Sequence, residues 1–337
     1  MQSKRRNANA PPGWFPRYYR PEDDEQIVEL LQASFDGWPK VEVAASPLDH
    51  LRWKLASPVN AWRQNIVGEA AGRLISTRLY VLRDASVCGR PMICKLGLET
   101  CVHPDYRNAG IMSVIQDYAD ERLQEIDIHL LYSQHPALLH IRKRQTVIPF
   151  RRIISLVCTT DGAPGATAAP TAWMIEECRS FDSRVDVLWE EARREFGLLL
   201  DRGRQFMNWR YCDPRGGSFK RTIAEQDRRI LGYVITRISH GEGYIADLLA
   251  LPGRLDVVDS LLAAAISSLR AAGVARVECW TSRGHPYDDV LARQGFDQKK
   301  RTIRFSYRPC RASLADLSGL RDASSAIHLM PGDTDII

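Results

Sequence analysis

The sequence predicts an α/β protein of the α+β type, with two tandem domains that each hold a mixed, mostly antiparallel sheet flanked by helices. Three observations lead to this prediction. The chain has 337 residues, which is enough for about two domains. Residues 161–172 are rich in Gly, Ala, Pro and Thr and lack large apolar side chains, as is typical of a linker. The order of helix and strand patterns after this linker repeats much of the order before it.

Composition and charge exclude several classes of protein. With 45% hydrophobic and 26% charged residues, the chain is an average globular sequence and not a disordered or fibrous one. It has no apolar run of the roughly 18 to 20 residues that span a bilayer, and its basic N-terminus lacks the apolar stretch of a secretory signal. We therefore expect a cytoplasmic protein without a membrane partner.

Cysteine and histidine spacing gives no sign of a metal site. Eight cysteines occur without a C-x-x-C pair, and the eight histidines show no H-E-x-x-H pattern, so neither a disulfide framework nor a bound metal is expected. The net charge of +5 is small for a nucleic-acid-binding protein and compatible with an anionic cosubstrate. We therefore do not expect a nucleic-acid partner, and the sequence leaves the oligomeric state open.

The N-terminal domain is predicted at 17–160, after a disordered arm at 1–16 that is rich in charge, Asn, Ala and Pro. Apolar residues at helical spacing predict helices, and alternating or continuous apolar runs predict strands. In chain order these patterns predict a strand at 17–20, helices at 21–37 and 47–55, strands at 65–69, 72–83 and 92–102, a helix at 111–124, a strand at 128–132, a short helix at 136–143 and a strand at 147–158.

The C-terminal domain is predicted at 173–310, between the linker at 161–172 and a tail at 311–337. The aromatic motif NWRY at 208–211 is expected to pack at the joint between the domains, although it is also able to stack on a substrate. The same patterns as before predict a helix at 181–196, paired strands at 219–226 and 230–238, a strand at 244–251, a long helix at 252–272, a strand at 274–281, a short helix at 287–293 and a last strand at 302–307.

Matched dipeptides support a duplication of the domain. The pair HP at 135–136 is followed by QT at 145–146, and the pair HP at 285–286 is followed at the same spacing by GF at 295–296. Each set comes after a predicted strand and lies in a short helical pattern. Together with the repeated element order, this favours a duplicated domain over two unrelated ones.

The segment KLGLETCVHPDYRNAGIMS at 95–113 carries the clearest chemical signal. An apolar strand runs into a turn and then into an amphipathic helix, so several backbone N–H groups point outward at the helix N-terminus. A pyrophosphate binds well at such a place, because Gly110 permits a close approach to the backbone and Arg107 adds a positive charge. The segment therefore predicts a phosphate site, although an ordinary strand-to-helix turn with a surface Arg has the same pattern.

The stretch VHPDYRNAGI at 102–111 resembles the phosphate-binding motif of the GNAT acyltransferase superfamily, Val-x-Pro-x-x-Arg followed by an Arg/Gln-x-x-Gly-x-Gly/Ala loop. Residues 17–158 follow the element order of that superfamily, and residues 219–307 resemble a second, degenerate copy. The resemblance implies an acyl-CoA cosubstrate, most simply acetyl-CoA, and no metal. It places the pyrophosphate on the amides of 107–113 and the pantetheine along 101–103, in the splay between that strand and 128–132. The implied cofactor-binding residues are Cys101, Val102, His103, Arg107, Asn108, Ala109, Gly110, Ile111, Met112 and Ser113.

The sequence departs from the motif at three places. Met112 stands where the motif usually has Gly or Ala, which makes the loop bulkier. The Tyr that often serves as general acid is missing, because its position falls on His140 or Ile141. The strand-helix junction of the second copy, LPGRL at 251–255, has no Arg-x-x-Gly loop, so the C-terminal domain is expected to bind no cofactor.

Four residues are candidates for catalytic roles. Glu99 lies on the strand that would hold the thioester and can take a proton from an amine, or it is a solvent-facing carboxylate. His135 is a candidate near the reacting carbon or a simple turn residue, and His140 can replace the missing Tyr as proton donor. Asp247 lies in an apolar run, where it binds a cationic acceptor or caps a turn. The thioester carbonyl would be polarised by a backbone N–H near Val102.

The predicted function is an acyl-CoA-dependent N-acyltransferase that acts on a small-molecule amine held between the two domains. Direct attack of the amine on the thioester is the expected reaction. Two alternatives stay open. One is a Fem-like transferase that takes its acyl group from a charged tRNA, which the basic runs at 142–144 and 151–152 suit. The other is a non-catalytic module that senses acyl-CoA, which the bulky Met112 and the missing Tyr suggest.

Overall fold

The computed structural model of the protein describes most of the chain. His135 and His140, the predicted helix at 136–143, both basic runs and nearly all of the predicted linker lie outside the described residues. The described residues are 10–59, 65–122, 126–132, 148–149, 153–161, 172–303, 305–311, 317–322 and 325–334.

The first half of the chain folds close to the predicted element order. Local signals explain where its helices begin; for example, the Ser46 hydroxyl accepts a hydrogen bond from the Asp49 amide, and Pro47 occupies the first helical position. The elements are β1 (Phe15–Tyr18), α1 (Asp24–Phe35), α2 (Pro47–Leu55), β2 (Ile66–Ala70), β3 (Arg73–Val87), β4 (Arg90–Val102), α3 (Ile111–Asp120), β5 (Ile128–Tyr132), β6 (Ile148–Pro149) and β7 (Ile153–Thr159).

The second half adds four elements that the sequence patterns did not predict, β8, β9, α5 and β16, because three of them are strands of only two to four residues. Its last predicted strand is divided into β14 and β15. The elements are β8 (Met174–Glu177), α4 (Arg184–Ala192), β9 (Leu198–Leu200), α5 (Arg204–Tyr211), β10 (Lys220–Gln226), β11 (Arg229–Ser239), β12 (Glu242–Ala250), α6 (Leu255–Ala271), β13 (Arg276–Ser282), α7 (Asp288–Arg293), β14 (Gln298–Ile303), β15 (Phe305–Pro309) and β16 (Ile327–His328).

The described strands form two mixed sheets, as predicted. The first has the order β1-β2-β3-β4-β5-β15-β6, with β9 and β16 attached beside β3, and the second has the order β14-β7-β13-β12-β11-β10-β8. Among the described strands, only the pairs β4·β5, β12·β13 and β9·β16 are parallel. The fold is therefore two mostly antiparallel sheets with helices packed on them.

Strand pairing departs from the predicted division of the chain, because the two halves exchange strands. β7 comes before the predicted linker but lies between β13 and β14 of the second sheet. β15 comes from the second half but pairs with β5 and β6 in the first sheet. An apolar strand pattern indicates burial and not the identity of the partner strand, so the sequence patterns could not predict this exchange.

Both predicted ends of the chain are more structured than expected. In the predicted arm, Trp14 packs against the core beneath α3, and β1 already begins at Phe15. In the predicted tail, residues 326–333 are all buried, and β16 pairs with β9. The tail is therefore part of the core that joins the two sheets.

Neither a membrane span nor a metal cluster is found in the part of the chain that the structure describes. No helix there is long and apolar enough to cross a bilayer. No group of three or more His, Cys, Asp or Glu residues there is arranged to hold a metal ion.

Candidate functional site

The first sheet splays open between β4 and β5. The two strands pair at three positions only, and the last of these is Leu96 with Leu130. Beyond Leu96, β4 continues to Val102 and stays paired with β3 on its other edge. Among the described residues no strand covers the β5-facing edge of β4 from 97 to 102. Its backbone groups are therefore able to pair with an extended ligand.

A β-bulge bends β4 just after this last pair. The register of β3 and β4 shifts between Arg78 and Tyr80, so that Leu98 and Glu99 together face a single residue of β3. A bulge of this kind bends the strand and increases its twist. The bend therefore helps to open the splay.

A cavity adjoins the apex of the splay. It has about 770 Å³ of empty volume, part of which is open to solvent. Leu96 and Leu130 line it, together with Gly97 and the bulge residue Leu98. The rest of the wall comes from α2, β3, α5, β15, the C-terminal segment 332–334 and two residues outside these elements, Val41 and Gly216. The cavity therefore lies between the first sheet and the second half of the chain, where the acceptor site was predicted.

The loop between β4 and α3 ends in an uncapped helix N-terminus. Pro104–Tyr106 forms one 3-10 turn, and α3 begins after Gly110, whose φ is 78°. No side chain of the described residues caps this end, and the first turn of α3 holds no acidic residue. In the described structure the amides of Gly110, Ile111 and Met112 donate to no protein acceptor. Free amides, a positive helix end and the lack of an acidic residue in the first turn of α3 fit the predicted pyrophosphate.

The side chains of this loop differ in what they leave available to a ligand. Ala109 and the first residue of α3, Ile111, have side chains buried in the same core as the inner face of α3, so only their backbone is available. Asn108 is exposed and has a φ of 65°, in the left-handed region. The Ser113 amide bonds the Gly110 carbonyl at 3.1 Å and is already part of the helix. The predicted phosphate contacts of this loop are therefore mainly backbone contacts.

Three predicted cofactor-binding side chains are turned towards protein groups. Nη2 of Arg107 donates to the Ser34 carbonyl at the end of α1, at 2.7 Å. Nδ1 of His103 accepts from the Asp105 amide at 3.4 Å and so stabilises the 3-10 turn. Sδ of Met112 lies 3.9 Å from Nη1 of Arg78 on β3. Val102 is half-buried and ends β4 where it pairs with β3.

Glu99 is buried and paired, which excludes the alternative that it faces solvent. Its carboxylate forms an ion pair with Lys54 of α2, and its backbone carbonyl accepts from the Thr77 hydroxyl at 2.9 Å. Lys54 lines the cavity and Glu99 does not, so Glu99 influences the cavity only through its ion pair with Lys54. Cys101 is buried against α1, and burial raises the pKa of its thiol.

His50 of α2 lines the cavity with one ring nitrogen unused. Its Nδ1 lies 2.8 Å from the Arg215 carbonyl, which can only accept, so Nδ1 carries the proton and Nε2 is an acceptor. Nε2 is buried and has no hydrogen-bond partner in the described structure. Burial, with Lys54 nearby, lowers the pKa of His50 to about 4. The imidazole is therefore neutral at physiological pH.

A charge network closes the other end of the cavity. Arg202 contacts Asp247 at 2.7 Å and Asp333 at 2.6 Å, and Arg83 lies 3.5 Å from the second oxygen of Asp333. Arg83 and Asp333 line the cavity, whereas Arg202 and Asp247 do not. The four charges balance, which is what buried ions require.

Asp247 is a member of this network and lies behind the cavity wall. It is fully buried and accepts hydrogen bonds from the hydroxyls of Tyr211 and Tyr233, at 3.0 and 3.3 Å. Burial alone would raise the pKa of Asp247, but the Arg202 guanidinium and His328 hold it below its ordinary value. The structure therefore gives Asp247 an ion-pairing position and no contact with the cavity.

Another buried cation, Lys95, lies on the opposite face of the sheet, under α3. Lys95 is fully buried, and its Nζ lies 4.3 Å from the centroid of the Tyr80 ring and has no hydrogen-bond partner in the described structure. The Tyr80 hydroxyl accepts from Nε of Arg78. Burial, together with the charge of Arg78, lowers the pKa of Lys95 to about 7.

Sequence reasoning missed most of the cavity wall. One face of α2 holds His50, Trp53 and Lys54, because residues three and four positions apart lie on the same side of a helix. This spacing is visible in the sequence and could have identified them as a group. The motif at 208–211 packs at the joint as predicted, since Trp209 stacks on Trp53. Asp333 had no signal, because its charged partners Arg202 and Arg83 lie 131 and 250 positions away in sequence.

Comparison with known proteins places this geometry in a known fold. No protein-family model and no curated protein matches the chain. Solved structures match it closely in shape. A protein of unknown function from Enterococcus faecalis, described as a probable N-acyltransferase, has a TM-score of 0.68 at 15% identity and covers 88% of this chain and 72% of its own.

Two further solved structures have the same architecture. A tandem GNAT protein from the clavulanic acid biosynthesis pathway has a TM-score of 0.57 at 16% identity, over 88% of this chain and 98% of its own. The Saccharomyces cerevisiae N-myristoyltransferase, solved with bound myristoyl-CoA, has a TM-score of 0.60 at 12% identity, over 88% of this chain and 80% of its own. The chain therefore has the tandem GNAT fold.

Proposed function

We propose that this protein transfers an acyl group from an acyl-CoA thioester, most simply acetyl-CoA, to the amine of a small molecule. The observation that carries the proposal is the junction of splay and cavity: the pair Leu96 and Leu130 ends the contact of β4 with β5 and also lines the cavity. We propose that the phosphates bind at 107–113 and that the rest of the ligand extends along β4. The distance from Val102 to Leu98 is about 13 Å, because each strand residue adds about 3.3 Å.

The bulge moves the expected place of the reacting carbonyl. The carbonyl was expected near Val102, but the cavity meets β4 at Gly97 and Leu98. We therefore propose that backbone N–H groups of the bulge polarise the thioester carbonyl, because the amides of a splayed strand are free to donate.

Acyl-CoA would supply an activated acyl group as a thioester. In the proposed reaction the amine nitrogen bonds to the carbonyl carbon and the C–S bond breaks. One amine proton is transferred to the leaving thiolate, which gives an amide and free CoA. On the cavity wall the positive charges of Lys54, Arg83 and Arg210 outnumber the negative charge of Asp333, and this excess favours the neutral form of a bound amine, which is the nucleophile. They also stabilise the negative charge that develops on oxygen and sulfur.

Binding and turnover assays test the proposal. Calorimetry with CoA should show one site per chain, and thiol release from acetyl-CoA should rise when the protein is given a panel of primary amines. Ribonuclease treatment should leave that rate unchanged. Thiol release that ribonuclease abolishes would favour the tRNA-dependent alternative. CoA binding without thiol release for any amine would favour an acyl-CoA sensor.

A further inference from the structure

We infer that His50 and Asp333 hold the acceptor amine in the cavity. Its two N–H groups donate hydrogen bonds to Nε2 of His50 and Oδ1 of Asp333. The acceptor is a primary amine attached to an apolar or aromatic group. This inference rests on the proposed function and names the acceptor site and class. The sequence motifs assign neither residue.

Unused acceptors on the cavity wall are the first argument. Nε2 of His50 and Oδ1 of Asp333 are buried, accept no hydrogen bond in the described structure and belong to residues that line the same cavity. A buried acceptor without a donor costs about 1–3 kcal/mol, so such atoms indicate a missing donor. A primary amine, with two N–H groups as the free base, supplies donors for both.

Fixed positions of the two acceptors are the second argument. Nδ1 of His50 donates to the Arg215 carbonyl, and the ring lies between Trp38 and Trp53, with centroids 5.4 and 5.2 Å away. Oδ2 of Asp333 accepts from Arg202 at 2.6 Å and from the Met330 amide at 2.9 Å. Nε2 of His50 is left for a ligand, and Oδ1 of Asp333 lies 3.5 Å from Nη1 of Arg83 in an ion pair but accepts no hydrogen bond in the described structure, so it is able to accept one from a ligand. An anchored partner costs less entropy on binding.

The balance of charge favours a neutral amine over an ammonium ion. Arg202 and Arg83 match the charges of Asp333 and Asp247, so Asp333 has little net attraction for a second cation. His50 is neutral, and Lys54 stands one helical turn away from it on the same face of α2. The site therefore offers hydrogen-bond acceptors in a field that disfavours added positive charge.

The apolar residues of the cavity wall favour an apolar or aromatic substituent on the acceptor amine. Trp53, Trp209, Phe206 and Phe305 line the cavity, along with several aliphatic side chains of β3, β4 and β5. An apolar or aromatic group gains free energy by filling such a wall, about 25 cal/mol for each Å² of apolar surface removed from water. A polyamine or sugar amine would leave polar groups unpaired there.

The test uses 2-phenylethylamine as the probe and the full-length protein without CoA. Calorimetry should show binding of the primary amine. Its N,N-dimethyl derivative should bind at least tenfold more weakly, because the free base has no N–H to donate. His50→Asn keeps a donor near Nδ1 but removes the Nε2 acceptor, so it should weaken amine binding about tenfold, whereas His50→Gln restores an acceptor near Nε2 and should recover most of the affinity.

A wild-type measurement covers the case in which His50→Asn does not fold. In the ¹⁵N spectrum of the histidine rings, 2-phenylethylamine should shift the unprotonated Nε2 resonance of His50, assigned by its absence in His50→Gln. The inference is overturned if the wild-type protein does not bind this amine and the amine does not shift that resonance. It is also overturned if folded His50→Asn binds the amine as tightly as the wild-type protein does. Failure of CoA binding with intact amine binding would refute the proposed function and leave the amine site standing.

Discussion

Trp53 and Trp209 join the two halves of the chain through a reciprocal contact. Their rings stack with centroids 4.9 Å apart and planes 15° apart. The indole N–H of each donates to the backbone carbonyl of the other, both at 2.9 Å. Trp53 lies on α2 beside the first sheet, and Trp209 lies on α5 of the second half. The cavity wall therefore depends on both halves being docked.

Removing one indole N–H should destabilise this joint. Trp53→Phe keeps an aromatic ring but leaves the Trp209 carbonyl without its donor, so we expect a loss of about 2 kcal/mol in the free energy of unfolding. Trp189→Phe is the matched control, because the Trp189 indole N–H has no hydrogen-bond partner in the described structure and should cost less than about 1 kcal/mol. Urea unfolding measures both. Equal losses in the two variants would show that the reciprocal bonds contribute nothing.

The phosphate loop offers a test with a close backbone control. Gly110→Asp puts a carboxylate against the free amides of α3, so CoA affinity should fall at least a hundredfold. Gly72→Asp sits in the β2–β3 turn with the same φ of 78° and open space around it. Both variants should lose about 1–2 kcal/mol of stability from the left-handed backbone. Calorimetry should find normal CoA affinity in Gly72→Asp; unchanged affinity in Gly110→Asp would rule out the phosphate site.

Local chemistry made the loop and most elements predictable from sequence. Gly110 and the turn before it act within a few residues, and helices such as α2 follow from a cap, a proline and an apolar stripe. These signals need no knowledge of the rest of the chain. The predicted phosphate site at 107–113 therefore rests on residues that the structure also keeps together.

Long-range contacts made the strand exchange and the cavity unpredictable. β7 and β15 have the apolar patterns of their own halves, but each pairs across the linker. Asp333 follows an apolar stretch that had been assigned to a tail, and its burial depends on Arg202 and Arg83. A single sequence contains no signal that shows which distant charged residues form ion pairs with each other.

Burial of Lys95 predicts a dependence of stability on pH. The pKa of Lys95 is lowered to about 7 in the folded protein, against about 10.4 in the unfolded chain. Between these values the unfolded chain binds more protons, so the free energy of unfolding should rise with pH, by up to about 1.4 kcal/mol per pH unit. Lys95→Met removes this contribution and should be more stable than wild type at pH 7.

Denaturant unfolding between pH 7 and 10 measures this effect. The stability difference between Lys95→Met and wild type should shrink as the pH rises, because wild type loses its penalty. The exposed Lys299, changed to Met, is the control and should differ from wild type by a constant amount. A constant difference for Lys95→Met as well would contradict a neutral buried amine.

The Asp247 carboxylate should matter for stability and not for transfer. Asp247→Asn removes one negative charge from a network of two Arg and two Asp residues and leaves a net positive charge in the core. Breaking a buried pair in this way costs about 3–5 kcal/mol. Asp256→Asn, which breaks an exposed pair with Arg254, should cost no more than about 1 kcal/mol.

Activity separates this structural role from a catalytic one. Asp247 does not line the cavity, so the rate of acyl transfer per folded molecule of Asp247→Asn should stay within about threefold of the wild-type rate. This rate is measured as thiol release at a temperature where the variant is folded. A variant that keeps wild-type stability but loses transfer would instead make Asp247 a group that contacts the acceptor. The two outcomes differ in both stability and rate, so one pair of measurements decides between them.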